Sequence, residues 1–149
     1  MDYLVAIPKF IKVIPPLPRP GARILSVVRI QSDVFRKSEP SKPISGLVVI
    51  AKVRQAPTGI PNPNPSSALE WHGKRIRGLN YELWHDNPDG SIVKGWHEHL
   101  WSPQDQDAYV ILARPKPKLR GLLDIFKWSL KKWNIEVLEK QAEVQGWEG

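Results

Sequence analysis

The stretch RIRGLNYELWHDNPDGSIVKGWHEHLW, residues 75–101, decides the fold. Two runs rich in β-branched and aromatic residues flank NPDG, a turn signature with Pro88 at its second position and Gly90 at its end. The pattern predicts a hairpin, with one strand over residues 75–85 and the other over 91–101. Side chains alternate between the faces of a strand, so the turn leaves two registers to choose between. With Asp86 opposite Ser91, Leu83 faces Lys94, Tyr81 faces Trp96 and Leu79 faces Glu98. That register gathers Leu79, Tyr81, Leu83, Ile92, Trp96 and Leu100 on one face, together with the stem of Lys94. The other face then carries Asn80, Glu82, Trp84, Val93, His97 and His99. A slip of one residue mixes the two sets, so apolar segregation selects the first register. It sets His97 across from Asn80 and His99 across from Gly78.

Upstream of the hairpin, ARILSVVRIQS (22–32) and GLVVIAKVRQ (46–55) read as two further strands, separated by a polar stretch with Pro40 and Pro43. Residues 56–67 carry Pro57, Pro61, Pro63 and Pro65 and read as a proline-rich loop. Residues 1–21 read as an extended proline-rich arm, with PPLPRPG (15–21) in polyproline II conformation as a spacer. Downstream, AYVILA (108–113) suggests a short fifth strand that RPKPK ends. Leu119, Leu122, Leu123, Phe126, Leu130, Trp133 and Val137 then recur at helical spacing and predict one helix over 119–138. Residues 141–149 read as a frayed tail. The expected architecture is a single α+β domain over 1–149: an antiparallel sheet of four to five strands with one long C-terminal helix packed on a face.

The 149 residues suffice for one core, and the chain has no cysteine, which excludes disulfides, thiolate metal sites and a cysteine nucleophile. No apolar run approaches the length of a signal-peptide core or a membrane span, so a soluble, cytoplasmic protein without membrane contact is expected. The net charge is +7. Between Arg114 and Lys132 seven basic residues stand against Asp124, whereas 134–149 is net acidic. A basic face of this kind suits a nucleic-acid partner.

Three of the four histidines lie in the hairpin. His97 and His99, two apart on one strand, point the same way about 6.6 Å from each other. They admit three readings. As polar residues of an exposed sheet they need no function. As metal ligands they require partners, for which His72, His85, Glu82 and Asp86 are available, although no second histidine motif has metal-type spacing. As an acid–base pair they match RNA cleavage without a metal or other cofactor. One imidazole then takes the 2′-hydroxyl proton, the other protonates the leaving 5′-oxygen, and a cation stabilises the phosphorane. The catalytic candidates are His97, His99, Glu82 and Asp86, with Glu82 orienting an imidazole or acting as base. Lys74, Arg75, Arg77, Asn80, Asn87, Lys94 and Trp101 are the candidates for contact with RNA.

HDNPDGSIVKGWHEHLW followed by LRGLLDIFKWSLKKW resembles the small TumE-type toxins of bacterial toxin–antitoxin modules. Asp86, Asn87, Gly90, His97, His99, Leu122, Leu123 and Phe126 follow the family's order of an Asp-Asn pair, a glycine turn, an H-x-H strand and a leucine-rich helix. The resemblance covers roughly residues 75–133. It implies a growth-inhibiting toxin, in some cases a ribonuclease, neutralised by a cognate antitoxin that often binds DNA. The expected function is therefore a metal-independent endoribonuclease toxin. The alternatives are a non-catalytic basic nucleic-acid-binding module, with Trp84 and Trp101 stacking on bases, or a structural subunit of a larger complex.

Overall fold

A computed structural model describes residues 2–16, 27–54, 65–118 and 121–139. It is mostly sheet. The elements are α1 (Asp2–Ala6), β1 (Lys9–Val13), β2 (Val27–Arg36), β3 (Glu39–Arg54), β4 (Ser66–Trp71), β5 (Lys74–Asp86), β6 (Ile92–Leu100), β7 (Val110–Leu112), α2 (Leu122–Lys132) and β8 (Ile135–Glu139). They form one curled eight-stranded sheet in the order β7-β6-β5-β4-β3-β2-β1-β8. Neighbours pair antiparallel except β1 and β8, which are parallel. The α+β expectation of four to five strands under one long helix is therefore corrected: a mixed sheet dominates, and α2 is the only helix of more than five residues among those described.

Three local causes account for the difference. First, α2 stops at Lys132 rather than near 138. Asn134 adopts φ 58°, the left-handed conformation that ends helices, and Asn accepts it more readily than most residues. Its side-chain amide donates to the Ala6 carbonyl (2.8 Å). Beyond it Ile135 is buried, Glu136 exposed, Val137 half-buried and Leu138 exposed, which is strand alternation. Second, β4 lies partly in the stretch read as loop. Its hairpin to β5 turns on His72 and Gly73, both at positive φ, as a two-residue hairpin loop requires. Third, the expected amino-terminal arm contains α1 and β1. Residues 17–21, 56–64 and 141–149 lie outside the described set.

Proline is tolerated in β3 because of where it falls. Pro40 and Pro43 lie in the part of β3 that pairs with β2, outside the Leu47–Lys52 segment that also pairs with β4.

The strand order explains why a helix is needed at all. β7 and β8 are the two edges of the sheet, so the chain between them must cross it. Helix α2 makes that crossing, packing on β3, β4 and β8. Its apolar stripe of Leu122, Ile125, Phe126 and Leu130 meets Val49, Ala51, Leu69 and Ile76 in the core. Trp133 is fully buried, and its indole N–H donates to a buried carboxylate oxygen of Glu98 on β6 (2.9 Å). At the same end of α2 the Lys9 ammonium is fully buried, donating to the carbonyls of Val5 (2.5 Å) and Trp133 (2.5 Å). No described helix is long and apolar enough to cross a membrane.

Candidate functional site

The hairpin of β5 and β6 holds the site. Its register over most of its length is the expected one: Gly78 pairs with His99, Leu79 with Glu98, Asn80 with His97 and Tyr81 with Trp96. The Gly90 amide donates to the Asn87 carbonyl (2.9 Å), as an NPDG turn requires, but the expected pairing of Asp86 with Ser91 is corrected: Asp86 pairs with Ile92, and the Asn87 amide donates to the Ser91 carbonyl (2.8 Å). Between these regions the pairing shifts: Glu82 faces Gly95, but His85 faces Val93. Two residues, Leu83 and Trp84, thus stand against Lys94 alone, which is a β-bulge. Gly95, at φ 85°, supplies the left-handed residue beside it.

The bulge changes the parity of the strand. In flat pairing Glu82 and Trp84 share a face and His85 lies on the other. With the extra residue, His85 joins Glu82, His97 and His99. The three imidazoles then converge, with ring centroids 5.3 Å (His85–His97), 5.5 Å (His85–His99) and 5.1 Å (His97–His99) apart.

Each ring is fixed by a backbone carbonyl. His97 Nδ1–H donates to Gly95 O (2.9 Å), His85 Nε2–H to Ala108 O (2.8 Å) and His99 Nδ1–H to Asp107 O (2.7 Å). These bonds assign the tautomers. His99 Nε2 accepts from the Asn80 amide (3.4 Å). The remaining nitrogens of His85 and His97 bear lone pairs, and both face the Glu82 carboxylate: His85 Nδ1 at 3.4 Å and His97 Nε2 at 3.9 Å. His97 Nε2 is buried with no hydrogen-bond partner.

Burial sets the electrostatics. His97 is 0% exposed and His99 4%. Desolvation pushes the His99 imidazole down to about 4, against an opposing pull from its bond to Asp107, and moves His97 in the same direction. Burial thus disfavours the charged form of both rings. Glu82 is exposed and His85 partly so, which makes these two the groups that reach solvent.

The other expected residues divide. Arg75 belongs to the site: its guanidinium pairs with Asp107 (2.8 Å) and lies 3.3 Å from His99 Nδ1. The space left by Gly78 is filled by this arginine, since a Cβ there would stand 2.6 Å from Arg75 Cδ. Asn80 supports His99. Lys74, which is exposed, lies over the ring of the half-buried Trp101 (4.9 Å), a cation–aromatic pair. Arg77 is turned away, bound to Asp2 (3.0 Å) and to the Ile76 carbonyl. Asn87 is a buried structural clamp, exchanging hydrogen bonds with both backbone groups of Val110 (2.9 and 2.8 Å). Asp86 and Lys94 are exposed and lie outside the cluster. Two members were not on the expected list: His85, weighed only as a possible metal ligand, and Asp107. Gly95 inside a strand pattern was the available sign of the bulge that brings His85 in.

Comparison with models of protein families, with curated proteins and with solved structures finds no match to this chain.

Proposed function

We propose that this chain cleaves RNA at the face formed by Glu82, His85, His97 and His99, as the toxin of a toxin–antitoxin pair. The observation that carries the reading is the convergence of three imidazoles and a carboxylate beside Arg75. Gathering these groups on a partly buried face costs desolvation, and such clusters of perturbed groups are characteristic of reaction centres. Phosphodiester cleavage requires acceptors for the proton of the attacking oxygen and a cation beside the phosphate. The Glu82 carboxylate and the His85 imidazole supply the first and Arg75 the second. The positive net charge adds sequence-independent attraction to a polyanion.

The geometry alters the division of labour expected from the sequence. His99 has both nitrogens committed and is buried, so it positions its neighbours. Contact with substrate falls to Glu82 and His85, with Arg75 at the phosphate. The toxin role rests on the resemblance of residues 75–133, and a neutralising antitoxin is the partner it implies.

Purified protein incubated with labelled total RNA should generate discrete fragments. Glu82→Gln and His85→Ala should each lower that rate by on the order of 100-fold or more, while His72→Ala, in the turn between β4 and β5, should leave it unchanged. Expression of the parent should slow growth, and that of the variants should not. Equal cleavage by parent and both variants would remove the site from the reaction. RNA retained but never cut would favour the non-catalytic binding module.

A further inference from the structure

The three bare acceptors at the site lack what would satisfy them. The His85 Nδ1 and His97 Nε2 lone pairs and the Glu82 carboxylate all converge, each ring having already spent its proton on a backbone carbonyl. A proton between His85 and Glu82 would satisfy that pair alone. It leaves His97 Nε2, fully buried and aimed at a carboxylate oxygen 3.9 Å away, with nothing. One group that satisfies all three is a divalent cation. We propose that Glu82, His85 and His97 bind a divalent first-row transition-metal ion, with zinc the natural first probe.

The donor set fits the chemistry. Two neutral imidazoles and one carboxylate suit zinc and its neighbours, and three protein ligands leave a coordination position open for water or substrate. The three ligand atoms lie within 4.8 Å of one another. Bonds of about 2.1 Å in tetrahedral geometry place ligand atoms about 3.4 Å apart. The His85–Glu82 separation of 3.4 Å already meets that spacing, a rotation of the exposed Glu82 side chain can shorten its 3.9 Å separation from His97, and a turn of the partly exposed His85 ring can draw the two imidazole nitrogens together. The carbonyls of Gly95 and Ala108 fix the rings from behind, as the outer partners of metal-bound histidines do. His99 packs against both rings and buttresses them without being a ligand.

This inference deepens the ribonuclease reading and rests on it only for what the ion does: with the His85 and His97 lone pairs and the Glu82 carboxylate committed to the ion, an activated water in its open position takes over the proton transfer that the free groups would otherwise perform, or the ion polarises a phosphoryl oxygen. Binding itself stands on the geometry. Untagged protein stripped with chelator should take up Zn²⁺ at one equivalent by calorimetry, with a dissociation constant of roughly 1 μM or below. Co²⁺ should give the visible absorption of a four-coordinate site. His85→Ala and Glu82→Gln, each checked for a native circular dichroism spectrum, should weaken binding by on the order of 100-fold; His72→Ala should not. No uptake by the parent, or undiminished uptake by both variants, overturns the metal site. RNA cleavage that persists without metal uptake would leave the ribonuclease standing and the metal refuted. Metal uptake without cleavage would do the reverse.

Discussion

Trp133→Ala should unfold this protein more readily than any other single truncation, lowering its stability by about 4–5 kcal/mol. The indole is the largest fully buried side chain among the described residues, and it closes the core where α2 ends and β8 begins. Trp128 meets it edge-on, with centroids 6.3 Å apart. Removing it opens a cavity the size of a bicyclic ring. It also strips Glu98 of the indole N–H, leaving a buried carboxylate oxygen without that donor, and an orphaned buried acceptor costs about 1–3 kcal/mol. Since small domains are stable by only about 5–15 kcal/mol, the sum is a large share of the whole. Trp133→Phe separates the two contributions, keeping much of the packing while removing the donor, and should cost about half as much. Urea titrations of parent and both variants measure this. A midpoint for Trp133→Ala close to the parent's would mean that the helix end does not hold the core.

Lys9→Met should also be damaging, by about 1–3 kcal/mol, because it leaves buried carbonyl acceptors without their donor. The ammonium gathers carbonyls from the end of α1 and from the residue that ends α2, where the helix leaves its acceptors unpaired. Methionine fills similar volume and donates nothing. Burial pulls the Lys9 ammonium down from its ordinary value near 10.5 to about 8. That shift gives the variant a pH signature. Below pH 8 both folded and unfolded chains hold the proton. Between about 8 and 10.5 the unfolded chain binds it and the folded chain does not, so stability rises with pH across that window. The integrated gain is about 3 kcal/mol, and Lys9→Met should lack it. Melts of the two proteins between pH 7 and pH 10.5 should therefore diverge as pH rises. Parallel curves would show that Lys9 stays charged throughout.

The hairpin register was legible because period-two alternation is strong there: Leu79 and Trp96 face the core as apolar segregation requires. The same argument misplaced Tyr81, Leu83 and Ile92, which are exposed. The 11 residues of α2 cross β3 and β4, so the distal hairpin has no helix above it. Alternation reports that a face is apolar; it does not report what reaches it. The reading of His97 and His99 as polar residues of an exposed sheet equates polarity with exposure, and it fails because both rings are buried. The segment 102–109 folds back, with Asp107 and Ala108 supplying carbonyls to the rings, and so pays their burial in hydrogen bonds. That contact has no sequence pattern. The length of α2 was misjudged for a different reason. Val137 continues the helical stripe of Leu130 and Trp133, but it also alternates with Ile135 in a strand. Asn134, following two lysines in the last turn, was the residue that told the two apart.

The parallel pairing of β1 with β8 joins residues 9–13 to residues 135–139. A ribosome delivers these segments far apart in time. While the chain emerges, β2 through β7 pair with sequential neighbours and assemble as they arrive, but β1 has a neighbour on one side only. Its other partner, and the Trp133 carbonyl that receives Lys9, come last. Closing so long a loop is entropically slow, so completion of the sheet should be gated by the arrival of residues 133–139 rather than by the meander. A chain made only as far as β7 would hold the imidazole-bearing hairpin complete while its core lacks the closing tryptophan. The histidine face is thus assembled before the segment that stabilises it, an order that keeps the nascent sheet dependent on residues 133–139.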